Sequence, residues 1–158
     1  MLRPTYYIHR SGFVLIEALI AVAIFSFALL GLMGMQAVSI KNNADAKYRA
    51  DAAYLANQII GKMWVDRANL ASYAYRSNET ACGASTATPA YAAVTSWLND
   101  VAADLPGVNA TVTSSEKPQI LVDTTTSPLY ATVTVTMCWQ SPNDTQAHNQ
   151  IATAQINN

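Results

Sequence analysis

After Glu17 no Asp, Glu, Lys or Arg occurs until Lys41, so Ala18 to Ile40 is an unbroken uncharged segment rich in Ala, Leu, Ile, Phe and Met. As a helix rising ~1.5 Å per residue, a run of this length crosses a hydrocarbon core of ~30 Å. In lipid every backbone N–H and C=O must be satisfied within the chain, and a helix achieves this without help. The segment therefore reads as one membrane-crossing helix. Glu17 stands just inside its leading end. A charge at membrane depth costs at least ~2.5 kcal/mol on insertion scales, which makes this carboxylate a candidate functional residue. The plainer alternative is a carboxylate that snorkels to the interface.

The stretch before Glu17 gives it a context. Met1 to Gly12 carries Arg3 and Arg10 but no apolar core of its own. A secretory signal places its hydrophobic stretch before the cut; here the apolar stretch lies beyond. Gly12-Phe13-Val14-Leu15-Ile16-Glu17 resembles the type IV prepilin motif, with Val14 where threonine is common. Leu29-Leu30-Gly31-Leu32-Met33-Gly34-Met35-Gln36, and more weakly Ala53 to Gln58, resemble the PilV-type minor pilins. The resemblance covers roughly the first sixty residues.

The resemblance implies cleavage by a prepilin peptidase between Gly12 and Phe13, N-methylation of Phe13, and an assembly role for Glu17. In that family the glutamate pairs with the terminal amine of a neighbouring subunit, which fixes axial register more than it adds stability. The implied organisation is a leader over 1–12, a transmembrane and filament-core helix over 13–40, and a periplasmic head over 41–158. The implied fold is α+β and pilin-like: a long N-terminal helix, transmembrane then amphipathic, packed on a small antiparallel sheet with one extra short helix. The positive-inside rule does not orient the chain, since Lys41, Lys47 and Arg49 answer Arg3 and Arg10. The leader motif and the cysteines place the N-terminus in the cytoplasm and the head outside the inner membrane.

The remaining residues support that order in their own terms. Tyr48, Ala52, Leu55, Ile59 and Met63 recur at spacings of three and four, predicting an amphipathic helix to about Leu70. Tyr54 and Trp64 are expected to pack as well. Ser72 to Thr88 loses periodicity and reads as an exposed connecting loop. A second helix is predicted with Thr88 as N-cap and Pro89 in its first turn. Its stripe is Tyr91, Val94, Leu98, Val101 and Leu105, with Trp97 beside it, and Pro106-Gly107 ends it. Strands are predicted at Val108 to Val112, Gln119 to Asp123, Leu129 to Trp139 and Gln150 to Ile156, the last an edge candidate. Ser141 to Asp144 reads as a turn. In the longest strand Ala131, Val133, Val135 and Met137 alternate with Thr132, Thr134, Thr136 and Cys138, which puts Cys138 on the polar face.

Cys82 and Cys138 both follow the apolar segment. If that segment anchors the chain, they lie in the bacterial periplasm, where disulfides persist, and only one pairing exists. Two buried thiols are the alternative. A metal site is disfavoured because neither cysteine has a second Cys or a His at ligand spacing. From Ser77 onward Glu79, Asp100, Asp104, Glu116, Asp123 and Asp144 face Lys117 alone, a poor surface for nucleic-acid phosphates. There is no phosphate loop, dinucleotide fingerprint or zinc-helix motif, and no cofactor is expected. His9 and His148 are isolated, so no catalytic constellation can be built and no enzyme activity is expected.

The expected function is that of a minor type IV pilin, a structural subunit that helps initiate pilus assembly and displays tip components for adhesion or twitching. Its implied partners are other minor pilins, the major pilin, the prepilin peptidase, the inner-membrane assembly platform and a tip adhesin. Two other readings share many of its features. A minor pseudopilin of type II secretion has the same leader, glutamate and helix. A signal-anchored periplasmic binding module that never polymerises would have no use for Glu17.

Overall fold

The computed structural model describes residues 11–109, 116–127, 129–142 and 144–157, and side chains from Phe13 onward. Residues 1–10 of the predicted leader (1–12) and the Ala110 to Val112 portion of the first predicted strand lie outside the described residues. The element order is helix α1 (Ser11–Val65), a 3-10 segment (Arg67–Tyr73), helix α2 (Ala92–Asp104), and strands β1 (Gln119–Asp123), β2 (Tyr130–Trp139) and β3 (His148–Asn157). One long helix, two further short helical segments and a small antiparallel sheet make this an α+β layout. The chain divides into two compact units between Asn43 and Ala44.

The first unit is the apolar part of α1. No proline lies between Thr5 and Pro89 to interrupt it. Every described side chain from Phe13 to Asn43 is exposed. The only hydroxyl in the middle of the run, that of Ser26, donates to the Val22 carbonyl at 2.7 Å, so the segment carries its own hydrogen bonds.

The second unit begins where the apolar residues become periodic. Ala52, Leu55, Ala56, Ile59, Ile60 and Met63 are buried along one face of α1. Each of the larger side chains stabilises the fold by ~1.5–3 kcal/mol through removal from water. Tyr54 and Trp64 depart from expectation: they are 65% and 45% exposed and face away from the core. Their spacing puts them off the Leu55–Ile59–Met63 stripe, and aromatic character alone does not decide burial. The helix also stops earlier than predicted. Asp66 leaves helical geometry (φ −109°, ψ 48°) and the chain tightens into the 3-10 segment that buries Leu70 and Tyr73.

Helix α2 starts at Ala92, not at Thr88 with Pro89 in its first turn. Tyr91 is extended (φ −104°, ψ 128°), because its hydroxyl is drawn to the Asp66 carboxylate and its ring meets Tyr73 edge-on with centroids 4.9 Å apart. Tertiary contact thus outweighs the local Thr-Pro signal. Val94, Trp97, Leu98 and Val101 turn inward. The Trp97 indole N–H donates to the Leu55 carbonyl at 2.9 Å, satisfying a buried donor and tying α2 to α1.

The sheet order is β1-β2-β3, antiparallel throughout. Ala131, Val133, Val135 and Met137 of β2 are fully buried, as alternation predicts. Gln119 to Asp123 forms β1 as expected. Val108, by contrast, is buried but not in a strand. Gly107 beside it has φ +76°, and a Cβ there would lie 2.9 Å from the Gln140 carbonyl oxygen, so only glycine fits this turn. The close approach carries the Gln140 N–H to the Pro106 carbonyl at 2.9 Å and joins the end of α2 to the end of β2.

Candidate functional site

The residues singled out in sequence fall into two groups, one on each unit. On the first, Gly12, Phe13 and Glu17 all belong to α1. Phe13 and Glu17 stand four residues apart, so they share one face of the helix. Phe13 is 70% exposed, and Glu17 is exposed among Leu15, Ile16, Leu19 and Ile20, which are exposed themselves. No described residue bonds to the Glu17 carboxylate. The helix is long and apolar enough to cross a membrane, and none of its most apolar stretch is buried. What this arrangement offers chemically is one anionic group on an apolar rod that no other described residue covers. Gly31 and Gly34 have open space around them, leaving that surface flat enough for another helix to approach.

On the second unit, the Cys82 and Cys138 sulfurs are 1.95 Å apart, with Cα atoms separated by 5.4 Å. Cys138 is on the threonine side of β2, but that side is not solvent at this end: Thr136 is nearly buried and Cys138 fully so. The cover is the segment following Tyr75, which sequence alone presented as an exposed loop. Tyr75 exchanges backbone hydrogen bonds with Ile120 of β1, at 2.9 and 3.0 Å. The buried Arg76 guanidinium donates to the Glu79 carboxylate at 2.8 Å, to the Thr80 carbonyl at 3.0 Å, and to the Lys117 carbonyl. The Gln119 amide answers by donating to the Arg76 and Glu79 carbonyls, at 2.8 and 2.6 Å. The buried Lys117 ammonium donates to the Ser85 carbonyl at 2.9 Å. Hydrogen bonds from Ser85 and Arg76 hold the Glu79 carboxyl below the usual carboxylate range.

These polar residues were not legible in sequence. Arg76 and Cys82 occupy left-handed backbone positions (φ +57° and +63°), which non-glycine residues seldom adopt and which no local pattern announced. The strain is tolerated because the disulfide and the Arg76 bonds overdetermine the segment.

A second polar knot closes the helical side. The Asp66 carboxylate accepts from Tyr91, from the Asn69 amide at 2.7 Å and from Tyr73 at 3.1 Å. Its pKa is lowered, chiefly by Tyr91 and then by Asn69, while burial and the adjacent carboxylate push the Tyr73 hydroxyl up to about 12. Asp123 is lowered to about 2 by the Thr126 and Thr125 hydroxyls at the end of β1. Among the described residues no cluster of His, Cys, Asp and Glu could hold a metal ion. No protein-family model, curated protein or solved structure matches the chain.

Proposed function

We propose that the chain is a pilin-like subunit, a minor pilin of the type IV pilus, anchored in the inner membrane by the apolar half of α1 and later built into the filament. The observation that carries this reading is Glu17: a single carboxylate, one helical turn after Phe13, on a helix whose apolar surface is uncovered on every side. Such a surface needs lipid or other helices around it, and exchange of the first for the second is what filament assembly requires. A carboxylate on that surface then selects a partner that brings a positive group to the same depth. The terminal amine of a processed Phe13 on a neighbouring subunit is such a group. The disulfide of the second unit suits an oxidising compartment such as the periplasm. The head then serves as a structural and display element among other minor pilins, the major pilin and a tip adhesin.

The test is the intact mass and N-terminal sequence of the protein recovered from its native membrane, in cells with an active prepilin peptidase. A mature chain beginning at N-methylated Phe13 is expected. A chain retaining Met1 overturns the reading and leaves a membrane-anchored module. With processing established, a Glu17→Ala variant is expected to remain in the membrane and fail to enter filaments.

A further inference from the structure

The sheet has two edges, and the chain treats them differently. β1 is 5 residues long and Tyr75 bonds to its outer side at Ile120, beneath the Arg76 segment. β3, at the other end, is 10 residues long and is paired to β2 from His148 to Asn157. Among the described residues nothing pairs with its far side. Along an edge strand, N–H and C=O groups point outward at every second residue, a template for another strand. Proteins blunt such edges with lysine, proline, a bulge or an inward charge. β3 has none of these: no Asp, Glu, Lys, Arg, Pro or Gly occurs between His148 and Asn157, and its register with β2 runs without a skipped residue.

We propose that the β3 edge accepts an extended segment of another polypeptide as a fourth strand. That segment is uncharged over the paired span and carries apolar side chains at alternate positions. The backbone edge requires a continuous series of donors and acceptors, which an extended peptide supplies. From Asn149 to Asn157 β3 carries no ionisable side chain, so a charged incoming side chain meets no counter-charge on that span; only its first residue, His148, has a charged neighbour, the Asp144 carboxylate at 2.8 Å. The rim of the core sets the alternation. Ala152 and Ala154 lie opposite the fully buried Val135 and Val133, yet are only half-buried themselves, and among the described residues no strand lies outward of them. Valine- or leucine-sized side chains there would continue the core, while the other face is exposed and mixed, with Ile151, Thr153 and Gln155, which threonine can meet with both its methyl and its hydroxyl. A second copy of β3 would set small alanines against small alanines and leave the rim unfilled. Strand acceptance depends on the sheet alone, not on what happens to Phe13 or Glu17.

The test uses the full chain in detergent micelles and amide hydrogen exchange. The probe is a synthetic peptide of roughly nine alternating valines and threonines with a lysine beyond each end, a length suited to strand addition. Exchange at alternate amides of His148–Asn157 is expected to slow by about tenfold or more on adding the peptide. Exchange in β2 serves as the internal reference for an intact fold, and the same peptide N-methylated at every amide is expected to have no effect. Unchanged exchange in β3 with the unmethylated peptide overturns the proposal. So does equal protection by both peptides, which would mean side-chain contact without strand pairing. Protection of β3 that rises with protein concentration alone would assign the edge to a second copy instead.

Discussion

The two halves of α1 share one backbone conformation and differ in almost everything else. From Ala18 to Ile40 the apolar residues surround the helix and all are exposed. From Ala52 to Met63 a single stripe of Ala52, Leu55, Ala56, Ile59, Ile60 and Met63 is buried, while Tyr54 stays outside it and exposed. The first half has more apolar surface and no core; the second has less and owns one. Burial inside a protein follows from asymmetry, since only a helix with a preferred face has a way to choose its neighbour. A helix that is apolar all round is instead suited to a surrounding apolar solvent. Polar groups follow the same division. In the first half Ser26 bonds within its own helix, whereas in the second the Leu55 carbonyl accepts from Trp97 of another element.

The largest expected effect comes from removing the residue that makes the second half tertiary. Trp97→Ala deletes a fully buried indole and its bond to Leu55, and is expected to destabilise the head by about 3–5 kcal/mol. Thermal unfolding followed by near-ultraviolet circular dichroism would fall sharply, with the helicity of the anchor retained in micelles. Loss of both together would mean that the two halves are not independent.

A smaller but more discriminating pair is Leu30→Arg against Tyr54→Arg. Both native side chains are about equally exposed, at 65% each, so their exposure alone predicts equal tolerance. If the first half lies in lipid, Leu30→Arg costs about 2.5–3.5 kcal/mol of insertion and releases protein from the membrane fraction on carbonate extraction. Tyr54→Arg, facing water, stays within about 0.5 kcal/mol of the parent. Equal behaviour of the two variants would remove the distinction between the halves.

The mildest effect is expected from acid. The folded-state pKa of Asp66 is lowered, so the stability it contributes is present above the unfolded carboxylate value and lost as pH falls through the folded one. Asp123 behaves in the same way, down to about pH 2. An Asp66→Asn variant is expected to be less stable than the parent at neutral pH and to lose less on acidification. Denaturant midpoints at neutral and acidic pH measure the difference, and parallel pH profiles for the two proteins would remove Asp66 from the account.

The residues whose burial was readable were those set by a period. Leu55, Ile59 and Met63, the inward side of α2, and the alternation of β2 all follow from side-chain geometry within one element. Tyr54 and Trp64 depart from expectation because position on the helix, not aromatic character, sets burial. The start of α2 departs from the Thr88-Pro89 signal because Tyr91 overrides it by reaching Asp66. Arg76, Lys117 and Gln119 were invisible for another reason. Their partners are mostly backbone carbonyls, and every residue has one, so composition says nothing about which will be met.

By itself, the sequence determined that a membrane-length helix precedes an α+β head, and that a carboxylate and two cysteines stand at places that call for an explanation. These properties are local or periodic, and the chain carries them wherever it goes. Only the tertiary structure decided that the segment after Tyr73 is bound down over one sheet edge while the other edge has no partner among the described residues. It also decided that Cys138 is buried on the side of its strand that alternation assigns to solvent. Such outcomes depend on residues distant in sequence arriving at one place, which no window along the chain contains.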